Sequence, residues 1–236
     1  MKSRATISDQ VAFLRGVWTV ASIAGADGLD RLSALHVSAH CDILEIRVDG
    51  WPDRAAAAVP AIAACGVPVL LTVRSPAEGG MNSLTDQARR GLIRTLLPVA
   101  AMLDVEIASM EALADVCSAA REQGVVVVAS FHDFSGCPET AVLYEKIHHA
   151  RAAGADIVKL AVTPQNTAEL ASLAGLLEAA PGPLSLMGMG PLGPVSRLLC
   201  AQLGSVLNYG FLDRPTVPGQ WPAARLRSLI AELRAL

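Results

Sequence analysis

Residues 154–162 read GADIVKLAV: a glycine, then aliphatic and β-branched residues with one lysine, Lys159, in their midst. Alternating apolar and polar positions would mark a strand with one wet face. This run is apolar almost throughout, as in a strand covered on both faces of a parallel sheet. The theme recurs along the chain as VWTVASIAG, DILEIRV, PVLLTVR, MLDVEIA, GVVVVASFHD, ADIVKLAV, PLSLMGMG and SVLNYGF. A longer amphipathic segment rich in Ala, Leu, Arg and Glu follows each run. Eight strand-plus-helix units in 236 residues predict an α/β fold, a single-domain (β/α)8 TIM barrel. An open doubly wound sheet is the alternative. Residues 1–15 read as a leading segment and residues 16–236 as the barrel, with no Pro/Gly/Ser-rich linker dividing them.

Composition narrows the partners. The chain is 52% hydrophobic and only 17% charged, against about 25% charged in an average domain, so it can bury a large core. A net charge of −3 gives no field to draw nucleic acid or an anionic membrane surface. Residues 55–73 carry no charge and imitate a membrane span, but Pro60, Gly66 and Pro68 break them into a helix end, a turn and a strand. Cys41, Cys65, Cys117, Cys137 and Cys200 are scattered without a CxxC pair. They read as small buried hydrophobes of a reducing cytoplasm, neither disulfides nor a zinc site. MKSRATISDQ lacks the apolar core of a signal peptide, so a cytoplasmic location is expected.

A barrel gathers chemistry at the C-terminal ends of its strands. There the runs carry Glu45, Arg47 and Asp49; Arg74, with Glu78 in the next loop; Asp104 and Glu106; His132 and Asp133; and Lys159. Lysine occurs otherwise only at Lys2 and Lys146. In an oily strand, Lys159 is either paired with a carboxylate such as Glu106 or is a nucleophile. The second reading expects burial and nearby cations, such as Arg47 or Arg74, to favour its neutral form. His132, on the active face of a barrel, suits general acid–base work, and no second His or Cys lies at metal-ligand spacing. His36, His40, His148 and His149 read as surface residues.

The stretch GMGPLG, residues 188–193, fits GxGxxG, with Asp213 where a ribose-binding acid would stand. A dinucleotide fingerprint opens its domain, however, and too little chain follows this one. A glycine-rich cradle for an anion, with Arg197 beside it as a carboxylate partner, is the better reading.

In the order LEIRVD, VRSPAEGG, SFHDF, GADIVKLAV, MGPLGPVSR and TVPGQ, the sequence resembles the type I 3-dehydroquinate dehydratase family over nearly its whole length. The resemblance implies a (β/α)8 barrel that converts 3-dehydroquinate to 3-dehydroshikimate in the shikimate pathway, with no metal and no organic cofactor. Its small-molecule substrate is then 3-dehydroquinate. By resemblance, Lys159 is the Schiff-base lysine, His132 the general base and acid, and Glu78 the carboxylate that orients the histidine. Glu45, Arg47 and Arg74 match residues that hold ring hydroxyls; Arg197, Thr216 and Gln220 match carboxylate and loop contacts. Met189 matches a residue packing near the ring, and Ser22, in a loosely matching first strand, is a further substrate contact. Thr216 replaces a serine common in the family, and Pro191 within the GMGPLG turn and Pro194 just after it stiffen the loop. The family often forms dimers, so a homodimer is open to this chain. Two other readings stay open at this stage: a class I Schiff-base aldolase and a non-catalytic carboxylate-binding barrel.

Overall fold

The structure, a computed structural model, describes residues 12–32, 36–212 and 214–235. Each apolar run supplies one strand: β1 (Trp18–Ile23), β2 (Ile43–Arg47), β3 (Val69–Thr72), β4 (Met102–Glu106), β5 (Val126–His132), β6 (Ile157–Val162), β7 (Leu184–Gly188) and β8 (Leu207–Phe211). The helices α1 (Ala26–Arg31), α2 (Ala55–Ala63), α3 (Asp86–Leu96), α4 (Ala114–Glu122), α5 (Thr140–Ala152), α6 (Thr167–Ala179), α7 (Gly193–Gln202) and α8 (Ala223–Arg234) follow them in turn. Caps fix several starts: Thr85 Oγ1 accepts from Ala88 N–H at α3, and Asn166 Oδ1 from Glu169 N–H at α6.

The ladder is parallel throughout, in the order β7-β6-β5-β4-β3-β2-β1-β8. Its two edge strands meet across a seam built partly from serines. Val206 N–H donates to Leu184 O at 2.8 Å, Ser185 Oγ to Leu207 O at 2.6 Å, and Leu186 N–H to Ser205 Oγ at 3.0 Å. The result is a nearly closed barrel and not the open sheet.

Side chains along a strand alternate between its faces. One set, including Leu44, Ile46, Leu71, Leu103, Val127 and Leu160, packs outward against helix residues such as Ile62, Ile93, Val116, Leu143 and Leu173. The other set, including Val20, Ile43, Leu70, Met102, Val128 and Ile157, fills the interior. Phe13, from the helical turn at 12–15, joins this inner cluster and meets Trp18 edge-on, with ring centroids 6.1 Å apart. It closes the barrel beside the N-terminal ends of the strands; residues 1–11 of the leading segment lie outside the described residues. Further along the strands the inward positions turn polar. Ser22, Glu45, Thr72, Asp104, Ser130 and Lys159 are all buried there. The lumen is therefore oily at one end and ionic at the other.

The span-like stretch 55–73 resolves as expected into α2, a turn in which Gly66 takes a left-handed φ of +88°, and β3. Among the described residues no helix is long and apolar enough to cross a membrane. All five cysteines are free; Cys41, Cys117 and Cys200 are buried, and burial pushes the Cys41 and Cys200 thiols up to about 12.

If Phe13 plugs the barrel, Phe13→Ala should cost about 3–5 kcal/mol in urea unfolding, as for other buried phenylalanines. A loss below about 1 kcal/mol would mean that the segment merely lies against the strands.

Candidate active site

At the polar end of the lumen lies a cavity of about 210 Å³. Its walls include each residue that the family resemblance matched to the site: Ser22, Glu45, Arg47, Arg74, Glu78, His132, Lys159, Met189, Arg197, Thr216 and Gln220. A neighbouring hollow of about 200 Å³ shares Ser22, Arg47, Gly79 and Thr216 and continues towards Arg214.

Lys159 stands mid-strand in β6 and is 4% exposed. Its Nζ donates to Asp104 Oδ2 at 3.1 Å, lies 3.8 Å from Glu45 Oε1, and sits 4.1 Å above the Tyr209 ring centroid. Two sequence expectations need correction here. The carboxylate partner is Asp104, not Glu106, because Asp104 is the residue of β4 that shares the lysine's level in the lumen. The arginines do not flank the amine as free cations, because each is held by carboxylates of its own. Arg74 is fully buried, with its guanidinium on Asp104 Oδ1 at 2.8 Å, Glu106 Oε1 at 3.1 Å and Ser130 Oγ at 2.6 Å. Glu106 turns its other oxygen to Arg89 of α3. Burial alone would raise the Asp104 carboxyl, but Arg74 and Lys159 hold it well below the usual range. The same carboxylates hold the Arg74 guanidinium up against its own burial.

Glu78 closes the short 3-10 turn Pro76–Glu78, which ends at Gly79 with φ +86°. One of its oxygens, Oε2, accepts from the backbone N–H of His132 at 2.9 Å and meets the ring Nδ1 at the same distance. A Cβ on Gly79 would come within 2.9 Å of the Phe134 ring, which stacks on the His132 imidazole at 6.3 Å between centroids. In the tautomer that gives Nδ1–H to the Glu78 carboxylate, the imidazole keeps Nε2 as its free base. Burial, helped by Arg74 and Lys159, pushes the imidazole well below 6.5, and burial raises Glu78 to about 7.

The remaining residues divide by freedom. Arg47 is gripped by Asp49, with Nε to Oδ1 at 2.9 Å and the guanidinium to Oδ2 at 2.8 Å, and it also reaches Gly79 O. Asp49 also takes the backbone N–H groups of Arg74 and Met81, so one buried carboxylate sets both Arg47 and the loop that carries Glu78. Ser22 and Thr72 both donate to Glu45. Thr216 and Gln220 face each other across the loop after β8 through Gln220 Oε1.

Arg197 of α7 differs from the other arginines. It is buried, yet its guanidinium meets only Met187 Sδ and Tyr209 O, and its Nε has no partner among the described residues. Burial without a carboxylate pulls it down to about 10, still a cation at neutral pH. A buried cation with no counter-ion among the described residues, on the wall of a cavity, is built for an anion.

The GMGPLG turn is less open than an anion cradle requires, since Gly188 N–H is already given to Ser196 Oγ. Asp213 lies outside the described residues. His148 and His149 are exposed on α5, and His36 and His40 flank the 3-10 turn Val37–Ala39. Sequence reasoning missed Arg89 and Tyr209. An arginine on an amphipathic helix ordinarily reads as solvated. The inward parity of β8 does point to Tyr209.

The type I 3-dehydroquinase family matches residues 20–236 of the chain. The 3-dehydroquinate dehydratase of Methanothermobacter thermautotrophicus is 33% identical over 199 residues, covering 84% of this chain and 87% of the relative. That of Methanothrix thermoacetophila is 32% identical over 222 residues, covering 92% and 91%. The crystal structure of the 3-dehydroquinate dehydratase from Geobacillus kaustophilus superposes with a TM-score of 0.85 at 28% identity, covering 93% of this chain and 91% of that one.

A depressed imidazole makes a prediction of definite sign. His132 should stay neutral as pH falls through 6.5, so its ring signals in NMR should not titrate where exposed histidines do. Its contribution to stability is present above pH 6.5 and is lost as pH falls towards the lowered folded value. Titration of His132 at or above 6.5 would contradict this.

Proposed function

The chain belongs to the type I 3-dehydroquinase family, and on that premise we propose that it removes water from 3-dehydroquinate through an imine on Lys159, with His132 as base and then acid. As a 3-dehydroquinate dehydratase it is a hydro-lyase. The observation that carries the mechanism is the buried Lys159 amine in one cavity with the Glu78-held imidazole and the uncompensated Arg197 cation.

The chemistry assigns a task to each group. Arg197 takes the substrate carboxylate, with Thr216 and Gln220 over it, and this orients the ring. Glu45, Arg47, Arg74 and Ser22 meet its hydroxyls, and Met189 packs against its apolar face. Lys159 Nζ, once it has given up a proton, attacks the ketone carbon; water leaves and a protonated imine remains. That imine withdraws electrons from the adjacent carbon.

His132 Nε2 then takes a proton from that carbon, leaving an enamine. The electron pair returns and expels the hydroxyl one carbon further on, which leaves as water with the proton that His132 had taken. Hydrolysis of the imine releases 3-dehydroshikimate and restores the lysine. A positioned acid–base group contributes about 10²–10⁴-fold to such steps. Glu78 fixes the tautomer that leaves Nε2 free. A class I aldolase would share the lysine, but the family match favours dehydration.

Borohydride reduces an imine to a stable secondary amine. Intact protein treated with 3-dehydroquinate and borohydride should gain the mass of a reduced adduct, located on Lys159 by peptide mapping. Lys159→Ala should lose both adduct and turnover while melting as a folded protein. His132→Ala should still be trapped but turn over about 10²–10⁴-fold more slowly. Turnover by the unaltered enzyme with no mass gain would exclude the covalent route.

A further inference from the structure

β8 carries Tyr209 inward at the level of the lysine. The residue is 4% exposed, and its ring face lies 4.1 Å from Lys159 Nζ. Other polar side chains of this ionic level have a visible partner: Ser22 and Thr72 bind Glu45, Ser130 binds Asp104, and Ser185 binds Leu207 O. The Tyr209 hydroxyl has none among the described residues. Buried polar groups are almost always hydrogen-bonded, so an orphaned phenol needs an explanation. Trp51 Nε1, Arg151 Nε and Asn208 Oδ1 are also unpartnered, but none of these residues lines the cavity. Tyr209 and Arg197 are the two orphan-bearing residues that do, and they adjoin: the Arg197 guanidinium rests on the Tyr209 carbonyl oxygen at 2.8 Å. Each of these two adjoining wall residues thus carries a buried donor that no group among the described residues uses, which an oxygen atom of a bound ligand can take up.

We propose that Tyr209 is a substrate-contacting residue. Its hydroxyl donates a hydrogen bond to an oxygen of the oxygenated, carboxylate-bearing ring held between Lys159 and Arg197, and its ring face lies against the lysine nitrogen in the cationic amine and imine. Burial beside Glu45 and Asp104 keeps the phenol protonated and able to donate. A ring above a cation in a dry site is attractive through its quadrupole, and that contribution does not depend on the hydroxyl.

This inference rests on the preceding reading of the site, so the test separates the two. Tyr209→Phe removes one oxygen and keeps the ring, the packing and the contact with Lys159. The variant should lose about tenfold in kcat/KM for 3-dehydroquinate, the effect of one lost hydrogen bond of ordinary strength. Its melting temperature without ligand should be unchanged or higher, because a buried unpartnered group has been removed. A change in kcat/KM of less than about twofold, or a fall in the unliganded melting temperature, would overturn the proposal; the second result would mean that the hydroxyl is bonded within the protein. Borohydride trapping of the unaltered enzyme, run alongside, reports only on the imine. The Tyr209→Phe comparison registers a lost contact whichever covalent route operates.

Discussion

A single row of buried charges organises the ionic half of this barrel. From α3 to the lumen it runs Arg89, Glu106, Arg74, Asp104, Lys159 and Glu45, alternating in sign at each step. Isolated charges cannot be buried cheaply, but each of these has an opposite neighbour, and Ser22, Thr72 and Ser130 supply further hydrogen bonds. Such a row is weak support for stability, since an apolar core of the same shape would do as well. What it supplies is position. The lysine cannot leave its place without exposing Asp104, and Arg74 cannot shift without unpairing two acids.

The row also separates structural from available charge. Arg47, Arg74 and Arg89 are committed to carboxylates, so although arginine abounds in this chain, little of it is free at the site. Arg197 and Tyr209 stand apart because the Arg197 Nε and the Tyr209 hydroxyl have no partner among the described residues. The cavity thus combines a fixed nucleophile and base with donors that have no partner among the described residues. A ligand that carries both a ketone and a carboxylate fits that combination.

Much of the fold was legible because burial on both faces leaves a plain mark: eight apolar runs, each now a strand. The site was legible in outline because polar residues in such runs are rare, and the barrel brings their ends together. The pairing was harder to read. Asp104 and Glu106 are both inward residues of β4, and only their height in the lumen decides which one meets Lys159. A count of two along the strand gives parity, but not the tilt that sets height. Arg89 was invisible for another reason: on a helix its charge reads as solvated, and only packing shows that it passes between α3 and the sheet to reach Glu106. Tyr209 offered a signal in its strand position. That its hydroxyl lacks a partner became apparent only in three dimensions.

The account turns on the Lys159 nitrogen bonding to a ligand whose far end sits on Arg197. A crystal structure of the protein with 3-dehydroquinate captured at the active site tests this most directly. Electron density continuous from Nζ into the ring, with a carboxylate against the Arg197 guanidinium, is the expected result. A ring that lies unbonded while Nζ stays on Asp104, or whose carboxylate points away from Arg197, would contradict it.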